Sequence, residues 1–137
     1  MSEPWPDDPR EFLLAYLAAW NAGDVDRVCD AYLVPALIYH PEGLEANLDD
    51  AARRAYLGGY VESTREELAA GTRWECPSLE ITWLGRSAAL ATAQWVFRRT
   101  DGTALEDYPD TYVLVRLGGR WVFMADVIYE SAETSSD

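Results

Sequence analysis

Residues 105–130, LEDYPDTYVLVRLGGRWVFMADVIYE, read as two strands joined by a tight turn. Gly118-Gly119 sits between residues of high strand propensity, and a glycine pair tolerates the positive φ that a two-residue hairpin turn requires. The hairpin therefore joins Leu105–Leu117 to Trp121–Glu130. Alternation along its second strand puts Trp121, Phe123, Ala125, Val127 and Tyr129 on one face, and Val122, Met124 and Ile128 on the other. Both faces are largely apolar, whereas an antiparallel sheet with one wet face alternates apolar with polar residues. One face is thus expected to be covered by helices from elsewhere in the chain. The other is expected to meet a second copy, which predicts a homodimer formed through the sheet.

Working upstream, Asp101-Gly102 and Leu84-Gly85-Arg86-Ser87 are two further turn words. They extend the hairpin into an antiparallel meander of Arg73–Trp83, Ala88–Arg99, Leu105–Leu117 and Trp121–Glu130, strands long enough to curl. Ahead of the meander the period changes from two to between three and four. Asp8-Pro9-Arg10-Glu11 offers an N-cap acceptor, a proline at the first helical position and a glutamate at the third. Phe12, Leu13, Tyr16, Leu17 and Trp20 follow as one apolar stripe, and Gly23 can stop the helix. Asp24 opens a second helix with Val25, Val28, Cys29 and Tyr32 on its stripe, ended by Pro35. After an extended stretch over Leu37–His40, Asp49 or Asp50 caps a third helix running to Gly71. Gly58-Gly59 is its weak point, costing about 1 kcal/mol each relative to alanine. The fold class is α+β, with three N-terminal helices packed into a strongly curved antiparallel sheet.

At 137 residues the chain is expected to be a single domain with its core over about 9–130, a short N-terminal arm and a frayed acidic tail, Ser131–Asp137. Hydrophobic residues at 49% and charged residues at 26% place it among folded globular chains. The 24 acidic residues outweigh 11 basic ones, giving a net charge of −13, so neither a phosphate backbone nor an anionic membrane is an expected partner. All the basic residues are arginines. The absence of lysine excludes Schiff-base chemistry and a P-loop. Cys29 and Cys76 are too few for a disulfide framework or a zinc site. The acidic N-terminus lacks a basic segment with an apolar run behind it, so the expected location is cytoplasmic.

Three separated segments carry a family resemblance. Tyr16-Leu17-Ala18-Ala19-Trp20-Asn21-Ala22-Gly23-Asp24-Val25-Asp26 resembles the first-helix signature of the NTF2-like superfamily, the group that includes ketosteroid isomerase and the SnoaL-like polyketide cyclases. Pro35-Ala36 with Tyr39-His40-Pro41-Glu42-Gly43 is similar to the strand after the second helix. Thr111–Arg116 with Gly118–Phe123 is similar to the final hairpin. The resemblance spans roughly residues 9 to 130. It implies a cystatin-like cone whose sheet wraps the first helix around an apolar pocket for a small apolar ligand, with no cofactor. The superfamily holds enzymes and non-enzymes alike, so a cofactor-free isomerase or cyclase acting on a carbonyl compound and a non-catalytic binding or interaction module both stand.

Carried over position by position, the resemblance places Tyr16 as an oxyanion donor and Asp110 as a neutral carboxylic acid donating beside it. In ketosteroid isomerase, a worked case of this chemistry, an apolar site keeps an aspartate protonated for that purpose. Before Pro41 the isomerases carry a proton-moving aspartate, and here the residue is His40. Histidine titrates near neutrality, so the substitution keeps a base while putting steroid isomerisation itself in doubt. Each residue also has a plainer reading: Tyr16 in the core, His40 as a framework residue at a strand end, and Asp110 capping a turn after Tyr108-Pro109. Trp20, Tyr56, Tyr60, Trp95, Tyr112 and Trp121 are candidates to line the pocket, or to fill the core instead. Glu42, Glu45, Asp49 and Asp50 read as a solvated loop rather than a metal site. Epoxide-hydrolase chemistry would need Asp, Arg and Asp around a water, with Arg98 or Arg99 facing inward.

Overall fold

The computed structural model describes residues 3–130. The tail expectation for Ser131–Asp137 lies outside the described residues. Helix α1 (Pro9–Ala22) begins as anticipated: the Asp8 carboxylate accepts from the Glu11 N–H at 3.1 Å, and Gly23 closes the helix at φ 65°. Helix α2 (Val25–Asp30) is capped by Asp24, which accepts from the Arg27 N–H at 3.1 Å. Its expected end at Pro35 is corrected. The helix stops at Asp30, and strand β1 (Tyr32–His40) already contains Pro35, behind a cis Val34–Pro35 bond. The aromatic and β-branched run from Tyr32 finds a sheet partner, with the Phe123 N–H donating to the Ala31 carbonyl at 2.8 Å.

The segment read as an acidic loop is also corrected, since β2 (Gly43–Asn47) forms a hairpin with β1. Helix α3 (Asp50–Ser63) is capped by Asp49, whose carboxylate accepts from the Ala52 N–H at 2.8 Å. It passes through Gly58-Gly59 unbroken. A Cβ on Gly58 would come within 3.2 Å of Val25, so the glycine permits close packing of α2 on α3. The helix ends at Thr64 instead, and α4 (Arg65–Ala69) forms a separate short turn, making three helices and a fourth of five residues.

The meander has the expected strands: β3 (Arg73–Trp83), β4 (Ala88–Arg98), β5 (Ala104–Leu117) and β6 (Arg120–Ile128). The six-stranded sheet runs in the order β2-β1-β6-β5-β4-β3. All pairs are antiparallel except β1 with β6, which is parallel and corrects the expectation of a purely antiparallel sheet.

One irregularity governs the site. Val113 pairs with Ala125 while Leu114 pairs with Phe123, so Met124 is an extra residue in β6. The bulge reverses the alternation beyond it. Trp121 and Phe123 face the helices, and then Asp126 and Ile128 do, in place of the expected Ala125 and Val127. Around Phe123 the core is aromatic, with ring centroids of Phe12, Tyr16, Tyr32 and Tyr112 at 5.0, 4.8, 5.1 and 4.4 Å.

Candidate active site

The inner faces of β4, β5 and β6 bring a polar group together beneath α1. Asp110 lies opposite Ala93, Tyr112 opposite Ala91 on one side and Asp126 on the other, and Asp126 adjoins Ile38 of β1. The small alanines of β4 leave space over these side chains, and α1 lays Tyr16 across it. The result is a cavity of about 560 Å³. Tyr16, Tyr32, Tyr112, Asp110 and Asp126 lie at its buried end, and the exposed Tyr60 and Glu42 at its outer end.

Asp110 is 1% exposed and Asp126 is 3% exposed, and in each the Oδ1 atom has no hydrogen-bond partner. Unpaired carboxylates at that depth would be very costly, so the pair answers by holding protons. Burial pushes the Asp110 carboxyl well above the ordinary range, and the neighbouring Asp126 adds to this. Burial pushes Asp126 up to about 7, opposed by hydrogen bonding with Asp110 and Tyr32. Burial likewise raises the phenols of Tyr16, Tyr32 and Tyr112, with the two aspartates contributing. At neutral pH the floor therefore holds protonated phenols, a carboxylic acid and a second carboxyl near its midpoint. Tyr16 donates to the Tyr32 hydroxyl at 3.3 Å, and the Trp95 indole donates to the Tyr112 hydroxyl at 2.9 Å. Two carboxyls whose surroundings separate their affinities for protons can act as acid and base on one bound molecule.

Tyr16, His40 and Asp110 all line this cavity, as do Trp20, Tyr56, Tyr60, Trp95 and Tyr112. His40 stands toward the outer end, its side chain 25% exposed and its Nδ1 3.6 Å from Glu42 Oε1. Trp121 does not line the cavity, which corrects that expectation. It is buried away from it, its indole donating to the Asp7 carbonyl at 3.3 Å and its ring packed edge-on against Trp83. Neither Arg98 nor Arg99 faces inward. Arg98 bonds Glu75 and the Gly102 carbonyl at 3.0 Å each, and Arg99 bonds Thr103 at 3.2 Å, so an Asp-Arg-Asp relay has no arginine. The four acidic residues weighed for a metal are dispersed: Asp49 caps α3, Asp50 pairs with Arg53 at 2.5 Å, Glu42 lies in the turn and Glu45 on β2.

Asp126 and Tyr32 are the site residues that sequence reasoning missed. Strict alternation puts Asp126 on the face opposite Trp121 and Phe123, and only the bulge turns it inward. The available signal was that Asp126 is the sole charged residue between Trp121 and Ile128.

A family model described as "NTF2-like protein (DUF6841)" matches residues 7–131. No curated protein matches in sequence. Among solved structures, an NTF2-like protein with a cystatin-like fold from Novosphingobium aromaticivorans is similar at TM-score 0.72 and 19% identity, over 92% of this chain and 81% of that one. An NTF2-like protein of unknown function from Shewanella oneidensis gives TM-score 0.68 and 18% identity, over 86% and 93% of the two chains. A protein from Shewanella frigidimarina, provisionally named a ketosteroid isomerase, gives TM-score 0.64 and 18% identity, over 85% and 89%. At these identities the likeness establishes the fold alone. Among the described residues, no helix is long and apolar enough to cross a membrane.

Proposed function

The chain belongs to the NTF2-like family, and from that premise we propose that its cavity binds a small apolar carbonyl compound and moves a proton on it without a cofactor, as an isomerase or cyclase does. The observation that carries this reading is the buried Asp110–Asp126 pair, each with an unpartnered oxygen, on the floor of an aromatic cavity. Asp110 serves as donor to the oxygen on which negative charge develops, and Tyr16 joins it by turning its hydroxyl from Tyr32. Two groups can take the proton, His40 at the outer end and Asp126 on the floor. A base and its oxyanion donors must reach atoms a bond or two apart, so the closeness of Asp126 to Asp110 favours Asp126. In that arrangement the proton leaves the carbon acid for Asp126 while Asp110 and Tyr16 hold the enolate oxygen. The proton returns to a different carbon, or the enolate closes a ring.

Exchange of α-hydrogens for deuterium, followed by NMR on a panel of enolisable ketones, tests this without knowledge of the natural substrate. Exchange is expected to exceed the buffer rate and to rise through pH 7 as Asp126 ionises. Asp126→Asn should lower it about 100-fold or more, in the range of a lost general base, while His40→Ala lowers it less than tenfold. The reverse order would make His40 the base. Ketones that bind without exchanging would leave a non-catalytic binding module.

The outer sheet face supports a homodimer. Leu37 and Tyr39 of β1 and Met124 and Val127 of β6 are exposed on neighbouring strands, with Tyr39 directly opposite Val127. A contiguous apolar patch of this kind marks an interface. Light scattering should give twice 15.4 kDa for the native chain. Val127→Arg should give the monomer mass, and a monomeric native chain would remove this part of the reading. We place the protein in the cytoplasm, where Cys29 and Cys76, both free, remain thiols.

A further inference from the structure

The charge of the cavity wall is one-sided. None of the chain's 11 arginines lines it, and there is no lysine, while Glu42, Glu67, Glu106 and Glu130 do line it, beside the two aspartates. Six of the 11 arginines are committed to ion pairs elsewhere. Arg53, Arg54, Arg65, Arg98, Arg116 and Arg120 pair with Asp50, Asp26, Glu62, Glu75, Asp7 and Asp30. Among the described residues, Glu67, Glu106 and Glu130 enter no ion pair, and Glu42 faces only His40 at 3.6 Å. With no arginine on this wall, the carboxylates around the opening have no counter-charge there.

Between these carboxylates the wall is aromatic. Tyr56 and Tyr60 stand edge to face at 5.2 Å near the outer end. Deeper in, Trp74 stacks on Phe97 at 4.5 Å and meets Trp20 at 5.9 Å. Ring faces carry negative potential and attract cations, more strongly where water is excluded. Asp110 Oδ1 and Asp126 Oδ1 are buried without donors and the Trp74 indole N–H is buried without an acceptor, and all three residues line the cavity.

We propose that the ligand of this cavity is a cation: a flat, apolar carbonyl compound bearing a protonated or quaternary amine, its ammonium seated among the tyrosine rings and glutamates of the outer end. The proposal rests on the reading of the cavity as a substrate site and adds the charge of the substrate to it. The carbonyl oxygen lies toward the floor and the Trp74 N–H, and the ammonium toward Tyr56, Tyr60, Glu106 and Glu130. An anionic ligand meets four glutamates and neither arginine nor lysine on the wall, and even His40 has its closest charged neighbour in Glu42. Attraction at the exposed rim is screened by salt, whereas packing against the rings is not.

Three probes of one shape separate charge from fit: benzyltrimethylammonium, its neutral carbon isostere neopentylbenzene, and 3-phenylpropionate. Binding to the full chain is read by quenching of tryptophan fluorescence, to which Trp20, Trp74 and Trp95 contribute from the wall, and by thermal shift. At low salt the cation is expected to bind at least tenfold more tightly than the isostere, and the anion more weakly than either. The preference should fall severalfold in 0.5 M salt and again in the double variant Glu106→Gln/Glu130→Gln. A neutral probe that binds as well as the cation, or a preference that neither salt nor the double variant moves, overturns the proposal and leaves the substrate cavity standing. Failure of all three probes to quench or to shift melting overturns both. Deuterium exchange on neutral ketones, which needs no cationic group, reports the proton-transfer reading separately.

Discussion

Asparagine at position 126 should stabilise the protein more at pH 8 than at pH 4, relative to the native chain, by an amount on the order of a few kcal/mol. In the native fold the Asp126 carboxyl titrates near 7 because it is buried, against 3.8 for the exposed group of an unfolded chain. Between these values the folded state holds a proton that the unfolded state has released, so folding stability falls as pH rises. Below pH 4 both states are protonated and nothing is lost. Above pH 7 both are ionised, and the loss reaches its full size. Each pKa unit between the two states is worth about 1.36 kcal/mol, which sets the scale of the effect. Asparagine does not titrate, so the variant escapes the loss while retaining nearly the same shape. Urea unfolding at pH 4, 6 and 8 measures it, as midpoints that diverge upward for Asp126→Asn. Midpoints that stay parallel would mean that Asp126 ionises as freely in the fold as out of it. A native fold that tolerates such a loss is keeping a destabilising group, as sites of chemistry do.

Phe123→Ala should cost roughly 3 to 5 kcal/mol, the range for truncating a fully buried aromatic. Phe123 is completely buried and touches α1 through Phe12 and Tyr16, β1 through Tyr32 and β5 through Tyr112. Its loss would remove contacts to three elements at once and leave a space beneath the Tyr16 and Tyr32 hydroxyls. A small domain has total stability of about 5 to 15 kcal/mol, so the variant should be close to unfolding at room temperature. Phe123→Leu keeps most of the volume and should lose far less. Equal losses for alanine and leucine would show that the ring's shape matters more than its volume. Thermal denaturation of the three proteins decides between them.

Much of this architecture was legible because its signals are local. Caps at Asp8, Asp24 and Asp49 act within three residues of themselves, and the turns at Gly85, Gly102 and Gly118-Gly119 bound four strands nearly to the residue. What escaped depends on partners distant in sequence. Tyr32 could continue a helical stripe or begin a strand, and pairing with β6, some 90 residues on, decides for the strand. The acidic run around Glu45 looks solvated until β1 supplies a neighbour. The site divides in the same way. Tyr16, His40 and Asp110 were named on the strength of a resemblance, and all three line one cavity. Asp126 was hidden because the periodicity that exposes a strand's faces assumes no interruption, and Met124 interrupts it. Trp121 was misplaced for a related reason. The inner face of the sheet is long enough to serve both a cavity and a solid core, and periodicity marks the face without marking where along it the cavity ends.

The extra residue at Met124 acts on β6 as a phase slip acts on a wave. Everything before it keeps its side, and everything after it changes sides. Straightening the strand with every residue kept would carry Asp126 out to the exposed apolar face and bring Ala125 and Val127 to the floor, whereas deleting Met124 would leave the Tyr112–Asp126 pairing as it is. Within this fold a buried acid can therefore be gained or lost by forming or erasing a bulge, with no residue exchanged. Two homologues that align here without a gap, one bulged and one regular, would carry different chemistry on the same scaffold.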